Sequence, residues 1–343
     1  MHYIVQNIFM PEKIKFEVEK KSFLDNWIEK EFNEQYDSQV RILHDLRLLE
    51  IFPGKDVMGI IGIDGKEYPV PTKEDIICEI KSNPEKYETK MKQGFTQIQL
   101  TPFAVPLERL TMTLGRALVD HYKRKKLFAT KEKPTDPDEP LELNTNEPVN
   151  NHDWINAEAP EGERGADVSN RCVYYVDYID FLNSLYSGGH TKAEILKAQS
   201  GQFFSGWEIK LFESNLNIPR EGKGQTIGGR KQLEVNKTAR QYLETIQIDP
   251  GYENERGLTN EDWLALFLVH LEKTNQVIDD IDGAGRACCL LGSLDRLSFY
   301  FGYGDWENQR QRVDLAQCHL ASSDHYTGVR TAVAVGSELK FEK

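Results

Sequence analysis

The segment from residue 299 to residue 335 constrains the fold most, because it sets a long polar run between two parts that must be buried. Trp306 is large and apolar, so a compact fold is expected to bury it. The alternation VRTAVAV at 329–335 predicts a closing strand. We interpret the polar residues between them as a recognition surface held on a rigid frame. An ordinary solvated loop is the alternative that composition alone leaves open.

The size and composition of the chain indicate a globular protein. Its 343 residues are enough for two domains of ordinary size. Hydrophobic residues make up 39% and charged residues 28%, which is typical of soluble proteins. No apolar run reaches the roughly 18 residues of a membrane span, and the N-terminus shows no secretion signal. We therefore expect a cytoplasmic protein that does not associate with a membrane.

The net charge of −13 argues against a protein that binds nucleic acid with its whole surface, because phosphate recognition needs a basic face. One basic segment, HYKRKKLFATKEK at 121–133, follows a predicted helix. Lysines at a helix C-terminus also offset the helix dipole, which is the structural explanation for this segment. Local contact with nucleic acid through 121–133 stays open as an alternative.

The cysteines predict neither a metal site nor a disulfide framework. Their number is odd and no pair has metal-ligand spacing, so we expect reduced, buried thiols. They are Cys78, Cys172, Cys288, Cys289 and Cys318.

Hydrophobic periodicity predicts a helix-rich first part. We expect helices at 13–50, 72–92 and 106–128, a hairpin at 57–71 around Asp64–Gly65, and a strand at 95–103. Five prolines and few apolar residues in 129–169 predict a linker. The predicted organisation is therefore a helix-rich domain at 1–130, a linker at 131–169 and a second domain at 170–343.

The second part mixes strands with one clear helix, which makes the predicted fold class α+β. We expect strands at 205–213, 287–294, 298–304 and 329–335, and a helix at 259–273 with Thr259 as N-cap and Asp262 three residues on. The glycine-rich stretch 219–232 lacks the hydroxyl residue that follows the lysine of a phosphate loop, which favours a structural turn. The aspartates of VIDDIDGAG favour a turn too, with a cation site as the alternative.

The order Gly302-x-Gly304-x-Trp306, a polar run, Gly328-Val329-Arg330 and an apolar strand resembles the end of a known family. It resembles the C-type-lectin-fold variable proteins that retroelements diversify, whose fold is shared with formylglycine-generating enzymes. The resemblance covers roughly residues 200–336 and is most specific over 299–335. It implies a C-terminal C-type-lectin-like domain with short mixed strands. Residues 1–170 resemble the front part of uncharacterised bacterial proteins with the same tail, which carries no functional assignment.

The resemblance implies non-catalytic ligand binding by a surface that an error-prone reverse transcriptase diversifies at adenines. It implies three frame positions, Trp306, Gly328 and Arg330. The implied contact positions are Asp305, Asn308, Arg310, Arg312, Asp314, His319, Ser322, Ser323, Asp324, His325 and Tyr326. We expect Tyr303, Tyr326 and Arg312 to anchor the ligand, because aromatic and arginine side chains dominate most interfaces.

Other members of this fold are less well matched. Calcium-dependent sugar binding would need a Trp-Asn-Asp type motif, and Trp306-Glu307-Asn308 matches it only in part. An enzyme of the formylglycine-generating-enzyme fold, with Cys318 and His319 in its site, is the alternative function. We predict no catalytic residue, no metal and no cofactor. The expected partner is an unknown protein or another macromolecule that binds through 303–326, and homo-oligomerisation is left open.

Overall fold

The computed structural model describes residues 22–151, 172–174, 189–295 and 300–336. These residues form an α+β fold with a helical N-terminal region and a strand-rich C-terminal part, as the sequence predicts. Within the described residues, no helix has the length and apolar character needed to span a membrane.

The predicted helices are found with one exception, and two further helices in the described residues, at 192–198 and 239–248, were not predicted. The helices are α1 (Phe23–Trp27), which continues through a π-helical segment (Ile28–Phe32) into α2 (Asn33–Asp45), then α3 (Lys73–Ser82), α4 (Pro84–Lys92), α5 (Leu107–Lys123), α6 (Lys192–Ala198), α7 (Ala239–Ile248) and α8 (Asn260–Thr274). The prediction of a single helix at 72–92 is wrong. Pro84 has no amide hydrogen, and Asn83 before it takes φ −136° and ψ 67°, so the helix breaks there. Residues 13–21 of the first predicted helix lie outside the described residues.

Helix α8 begins where the sequence predicts. The Thr259 side chain accepts a hydrogen bond from the Asp262 backbone, and the Asp262 side chain accepts one from the Thr259 backbone. This reciprocal arrangement is a capping box, and it satisfies backbone N–H groups that would otherwise have no partner at the start of the helix. It fixes the residue at which α8 begins.

The strands of the described residues form four sheets. They are β1 (Glu50–Ile51), β2 (Met58–Ile61), β3 (Glu67–Pro69), β4 (Phe95–Thr101), β5 (Val149–Asn150), β6 (Cys172–Tyr174), β7 (Glu208–Glu213), β8 (Thr226–Ile227), β9 (Arg230–Lys231), β10 (Glu255–Gly257), β11 (Ala287–Asp295), β12 (Tyr300–Glu307), β13 (Arg312–His319), β14 (Thr327–Val329) and β15 (Thr331–Val335). The sheet orders are β1-β2-β3, β10-β15-β7-β4, β14-β11-β12-β13-β5 with β6 also on β11, and β8-β9. The predicted hairpin is confirmed by the antiparallel pair β2–β3, with Gly65 at φ 73° in its turn.

The two segments on either side of 131–169 share a sheet and a core. Strand β4 pairs antiparallel with β7, and β5, inside the predicted linker, pairs parallel with β13. Side chains from both segments, including Leu100, Leu114 and Trp263, lie in one hydrophobic cluster. The division into domains stays a prediction, and 152–169 lie outside the described residues.

The predicted strand at 329–335 is in fact two strands in different sheets. Strand β14 runs parallel to β11, whereas β15 lies antiparallel to β7 and β10. The chain changes sheets at Arg330, whose side chain is held between them by buried hydrogen bonds. The prediction of a single strand is therefore wrong. An alternation of apolar residues indicates strand structure, but it does not show in which sheet each part of the strand lies.

The predicted glycine-rich turn is confirmed as a structural element. Gly228 and Gly229 have φ 56° and 85°, which an L side chain rarely adopts, and they join β8 to β9. Arg230, directly after them, is buried and donates two hydrogen bonds to the Glu255 carboxylate. The glycine-rich turn therefore positions Arg230 for its buried ion pair with Glu255.

Candidate ligand-binding site

One face of strand β12 packs tightly on helix α8, and this explains the Gly-x-Gly-x-Trp spacing. A Cβ atom at Gly302 would lie 2.3 Å from Asn260 Oδ1, and one at Gly304 would lie 2.4 Å from Trp263 Cε2. Only glycine allows backbone and helix to approach so closely. Trp306, two residues further on the same face, is 0% exposed. The Gly-x-Gly-x-Trp motif therefore allows β12 to pack directly against α8 in the core.

Trp306 also holds a neighbouring turn. Its Nε1 donates a hydrogen bond to Asn308 Oδ1 at 2.6 Å, and Asn308 Nδ2 donates to Asp280 Oδ1 at 2.8 Å. Asn308 was predicted to contact ligand, and in the structure it bridges the tryptophan to the loop before β11. Its side chain is committed to internal hydrogen bonds.

Arg330 and Gly328 form the rest of the frame. Both Arg330 Nη atoms donate to the Asp279 carboxylate, with Nη1 2.7 Å from Oδ2. Burial on its own would lower the pKa of Arg330, but the Asp279 carboxylate outweighs it and raises that pKa. At Gly328, a Cβ would lie 2.5 Å from Ile218 Cγ2, so a side chain there would displace its neighbours. The frame positions are thus buried and closely packed.

The opposite face of β12 and β13 carries four of the twelve predicted contact residues, which are Tyr303, Asp305, Arg312 and Asp314. Paired residues on neighbouring strands share a face, and the register matches Tyr303 with Ala316, Asp305 with Asp314, and Glu307 with Arg312. Helix α7 covers one end of this face, where its Tyr242 packs in a cluster with Phe301 and Cys289. We call the part of this face beyond α7, formed by residues 303, 305, 307, 312 and 314, the hairpin face.

Two acids of the hairpin face are buried, and among the described residues only one of them has a cation beside it. Asp314 is 6% exposed, and its Oδ1 lies 2.8 Å from Arg312 Nε. Arg312 also pairs with Glu147, beyond the edge of the hairpin. Asp305 is 3% exposed, and its Oδ1 accepts no hydrogen bond from any described residue. Burial, followed by the charges of Asp314 and Glu307, raises the pKa of Asp305 to about 8.

Tyr303 links the hairpin face to the following loop. Burial and the nearby Asp305 carboxylate raise the pKa of Tyr303, while its hydrogen bond with Thr327 acts in the opposite direction. Its ring is half-buried, which suits an anchor that presents one edge to a ligand. Tyr303 therefore lies where the hairpin meets the loop at 320–326.

The remaining predicted contact residues are exposed on the hairpin turn, at the end of β13 and on the loop that follows. They are Arg310, His319, Ser322, Ser323, Asp324, His325 and Tyr326. Asp324 holds the end of this loop, because its Oδ1 accepts from the Tyr326 N–H at 2.8 Å and its Oδ2 accepts from Thr327 Oγ1 at 2.8 Å. Tyr326 itself is 57% exposed. The loop thus presents an aromatic ring and small polar groups on a constrained backbone.

Cys318 and His319 do not form a nucleophile and base pair in this geometry. They are successive residues of β13, so their side chains project to opposite faces. The His319 ring packs edge-on against Tyr300 at 5.2 Å, and a hydrogen bond with Cys289 lowers the pKa of the Cys318 thiol. The cysteine prediction is wrong for Cys78, which is exposed, and for Cys318, which is partly exposed.

The basic segment 121–133 is only partly available to a partner. His121 is buried, and its Nε2 lies 3.1 Å from Glu272 Oε1. The side chains at 123–126 are exposed and basic. Nucleic-acid contact there stays a prediction.

The sequence prediction missed strand β13 and the partner of Arg330. Val313 and Leu315 alternate with polar residues and are buried, which was the available signal for a strand. An arginine in an apolar segment signals a buried carboxylate, but Asp279 is 51 residues away. Asp279 was assigned to a turn, with a cation site as the alternative. In the described ranges, no group of three or more His, Cys, Asp or Glu side chains is arranged to hold a metal ion.

Comparison of the chain with protein-family models, with curated proteins and with solved structures gives no match. The interpretation of the site therefore depends on its geometry and on the C-terminal motif.

Proposed function

We propose that this chain is a non-catalytic ligand-binding protein of the cytoplasm, which displays a diversifiable surface on a C-type-lectin-like frame. The observation that supports this is the separation of the two sets of residues. The frame residues are buried, whereas the turn and loop residues beside them are exposed. Exposed side chains can change with little effect on stability, so the surface can vary while the fold persists.

The exposed set has the chemistry of an adaptable interface. Tyrosine gives a large amphipathic contact at low entropic cost, and serine and histidine add hydrogen bonds. Tyr326 and Arg310 are the exposed anchors that such an interface would use, since aromatic and arginine residues dominate binding energy. A protein ligand fits this mixture best, because several scattered contacts act together over a broad surface.

Sequencing tests the diversification. We would sequence the DNA around the gene, and its 3′ end across many cells. A near-copy of the segment that encodes 299–335, differing at adenines, would support the proposal, provided that variation falls on the exposed residues and spares Trp306, Gly328 and Arg330. An invariant 3′ end with no such copy would remove diversification and leave a fixed binding surface.

Binding is tested with a face variant, in which Arg310, Ser322, Ser323, His325 and Tyr326 are all changed to alanine. We expect its free energy of unfolding to stay within about 1 kcal/mol of wild type. By contrast, Trp306→Ala should lower it by about 3–5 kcal/mol, because that ring is buried. A displayed random-peptide library is then selected on the full chain and counter-selected on the face variant. Selected peptides that discriminate the two support binding, and a library that yields none contradicts it.

A further inference from the structure

Asp305 is a buried carboxylate with no cation beside it among the described residues. The residue is only 3% exposed, and its Oδ1 has no hydrogen-bond partner among the described residues. Leaving a buried acceptor without a partner costs about 1–3 kcal/mol, and more for a charged group. Such groups are rare in native structures, and each one calls for an explanation, of which a role in function is one.

The described charged groups that act most strongly on Asp305 are acidic. On its own strand, Tyr303 and Glu307 flank it on the same face; on β13, Asp314 lies opposite; and Asp279 and Asp282 of the loop before β11 add negative charge. The cations close by are already engaged. Arg312 pairs with Asp314 and Glu147, Arg310 lies 3.3 Å from Asp314 Oδ2, and Arg330 pairs with Asp279. The hairpin face therefore has an excess of negative charge centred on Asp305.

We infer that the hairpin face takes a positively charged side chain of its protein ligand, an arginine or a lysine, with Asp305 as the acceptor. This inference rests on the proposed ligand-binding function. Asp305 lies between the partly exposed Tyr303 and Glu307 on the same face of the strand, so a ligand group that enters between these two side chains would reach it. A guanidinium or ammonium group supplies the missing donor and forms a charge-assisted hydrogen bond. The chain's net charge of −13 also attracts a basic partner at long range.

The pH dependence of binding is a direct consequence. The cation needs the ionised Asp305, whose pKa in the free protein is raised to about 8 by burial and by Asp314. Arginine stays charged across this range, so the ligand does not titrate. Below about pH 8, binding must release the Asp305 proton, and the affinity should rise by up to about tenfold per pH unit. Above that pH the affinity should level off.

The experiment uses the peptides selected on the full chain against the face variant. We expect them to be enriched in arginine or lysine relative to the starting library. Replacing the basic residue of one peptide by citrulline, or changing Asp305→Asn in the protein, should weaken binding at pH 8.5 by about tenfold or more. The same protein variant should also abolish the rise in affinity between pH 6.5 and pH 8.5, which a structural role for Asp305 would not predict.

Asp56→Asn is the matched control, because it removes one exposed carboxylate away from the hairpin face and should leave affinity and its pH profile unchanged. Peptides that discriminate the face variant but lack basic residues would overturn this inference and leave the binding function standing. Equal affinity for the citrulline peptide, or a pH profile unaffected by Asp305→Asn, would overturn it too. A selection that yields no discriminating peptide contradicts the proposed function itself.

Discussion

The guanidinium group of Arg330 donates to both carboxylate oxygens of Asp279, across 51 residues of sequence. Asp279 also accepts from Trp263 Nε1 at 2.8 Å, so the pair is tied to helix α8. Arg330 Nε donates to the carbonyl of Leu216 at 2.7 Å. One side chain thus joins the loop before β11, the helix and the point where the chain changes sheets. This arrangement fixes the base of the exposed loop.

We expect Arg330→Ala to lower the free energy of unfolding by about 3–5 kcal/mol, because it leaves the Asp279 charge buried and unpaired. Arg330→Lys should also be destabilising, since an ammonium cannot form the two parallel hydrogen bonds. Urea denaturation measures both. Arg310→Ala is the control, because that side chain is 60% exposed and its loss should change stability by no more than about 0.5 kcal/mol. Equal stability of the Arg330→Ala and Arg310→Ala variants would contradict a structural role for the buried pair.

A methyl group at Gly304 should disturb the contact between β12 and α8. Its Cβ would lie 2.4 Å from Trp263 Cε2, so the ring or the strand must move. We expect Gly304→Ala to destabilise the protein by about 1–3 kcal/mol, as overpacked cores usually do. Thermal and urea denaturation would detect the loss. Ser323→Ala, on the exposed loop, should unfold like wild type, and a Gly304→Ala protein that does the same would show that the contact is looser than the structure indicates.

The stability of the protein should depend on the ionisation of Asp305. Its pKa is raised from 3.8 to about 8 in the folded protein, first by burial and then by Asp314. Between these pH values the folded protein keeps a proton that the unfolded chain has released. The contribution of Asp305 to stability is therefore fully present below about pH 4 and is lost as the pH rises through about 8.

The substitution Asp305→Asn removes this loss of stability at high pH. We expect the variant to be more stable than wild type by about 1–3 kcal/mol at pH 8.5, and close to wild type at pH 4. Urea denaturation at pH 4, 6 and 8.5 measures the difference, with Asp56→Asn as the control. A variant that is less stable than wild type at pH 8.5 would mean that the ionised Asp305 has a cationic partner within the fold.

At acidic pH, His270 should make the free energy of unfolding rise with pH, which is the opposite of the effect of Asp305. Burial, followed by the positive charges of Arg330 and Lys273, lowers its pKa from 6.5 to about 4. Between these values the unfolded chain gains a proton that the folded protein does not bind, so stability falls as the pH drops through this range. We expect His270→Gln to reduce the loss of stability between pH 7 and pH 4 by about 1–2 kcal/mol. His44→Gln, at an exposed histidine, is the control, and an unchanged pH slope in His270→Gln would contradict this assignment.

Local sequence rules predicted those elements whose determinants lie close together in the chain. The capping box of Thr259 and Asp262 begins α8, and Asp64–Gly65 turns the β2–β3 hairpin. The break at Pro84 was equally local, and the helical periodicity on both sides concealed it. Strand β13 was missed because most of its residues are polar, and only Val313 and Leu315 showed the alternation.

By itself the sequence determined the α+β class, the helix α8, and the need to bury Trp306 beside a polar run, because periodicity and side-chain polarity act over a few residues. Only the tertiary structure decided that Arg330 pairs with Asp279, that the chain changes sheets there, and that Asp305 has no cation beside it among the described residues. These outcomes depend on which distant groups share a buried space, where the cost of an unpaired charge is high. The spacing of residues along the sequence does not show which distant groups become neighbours in the fold.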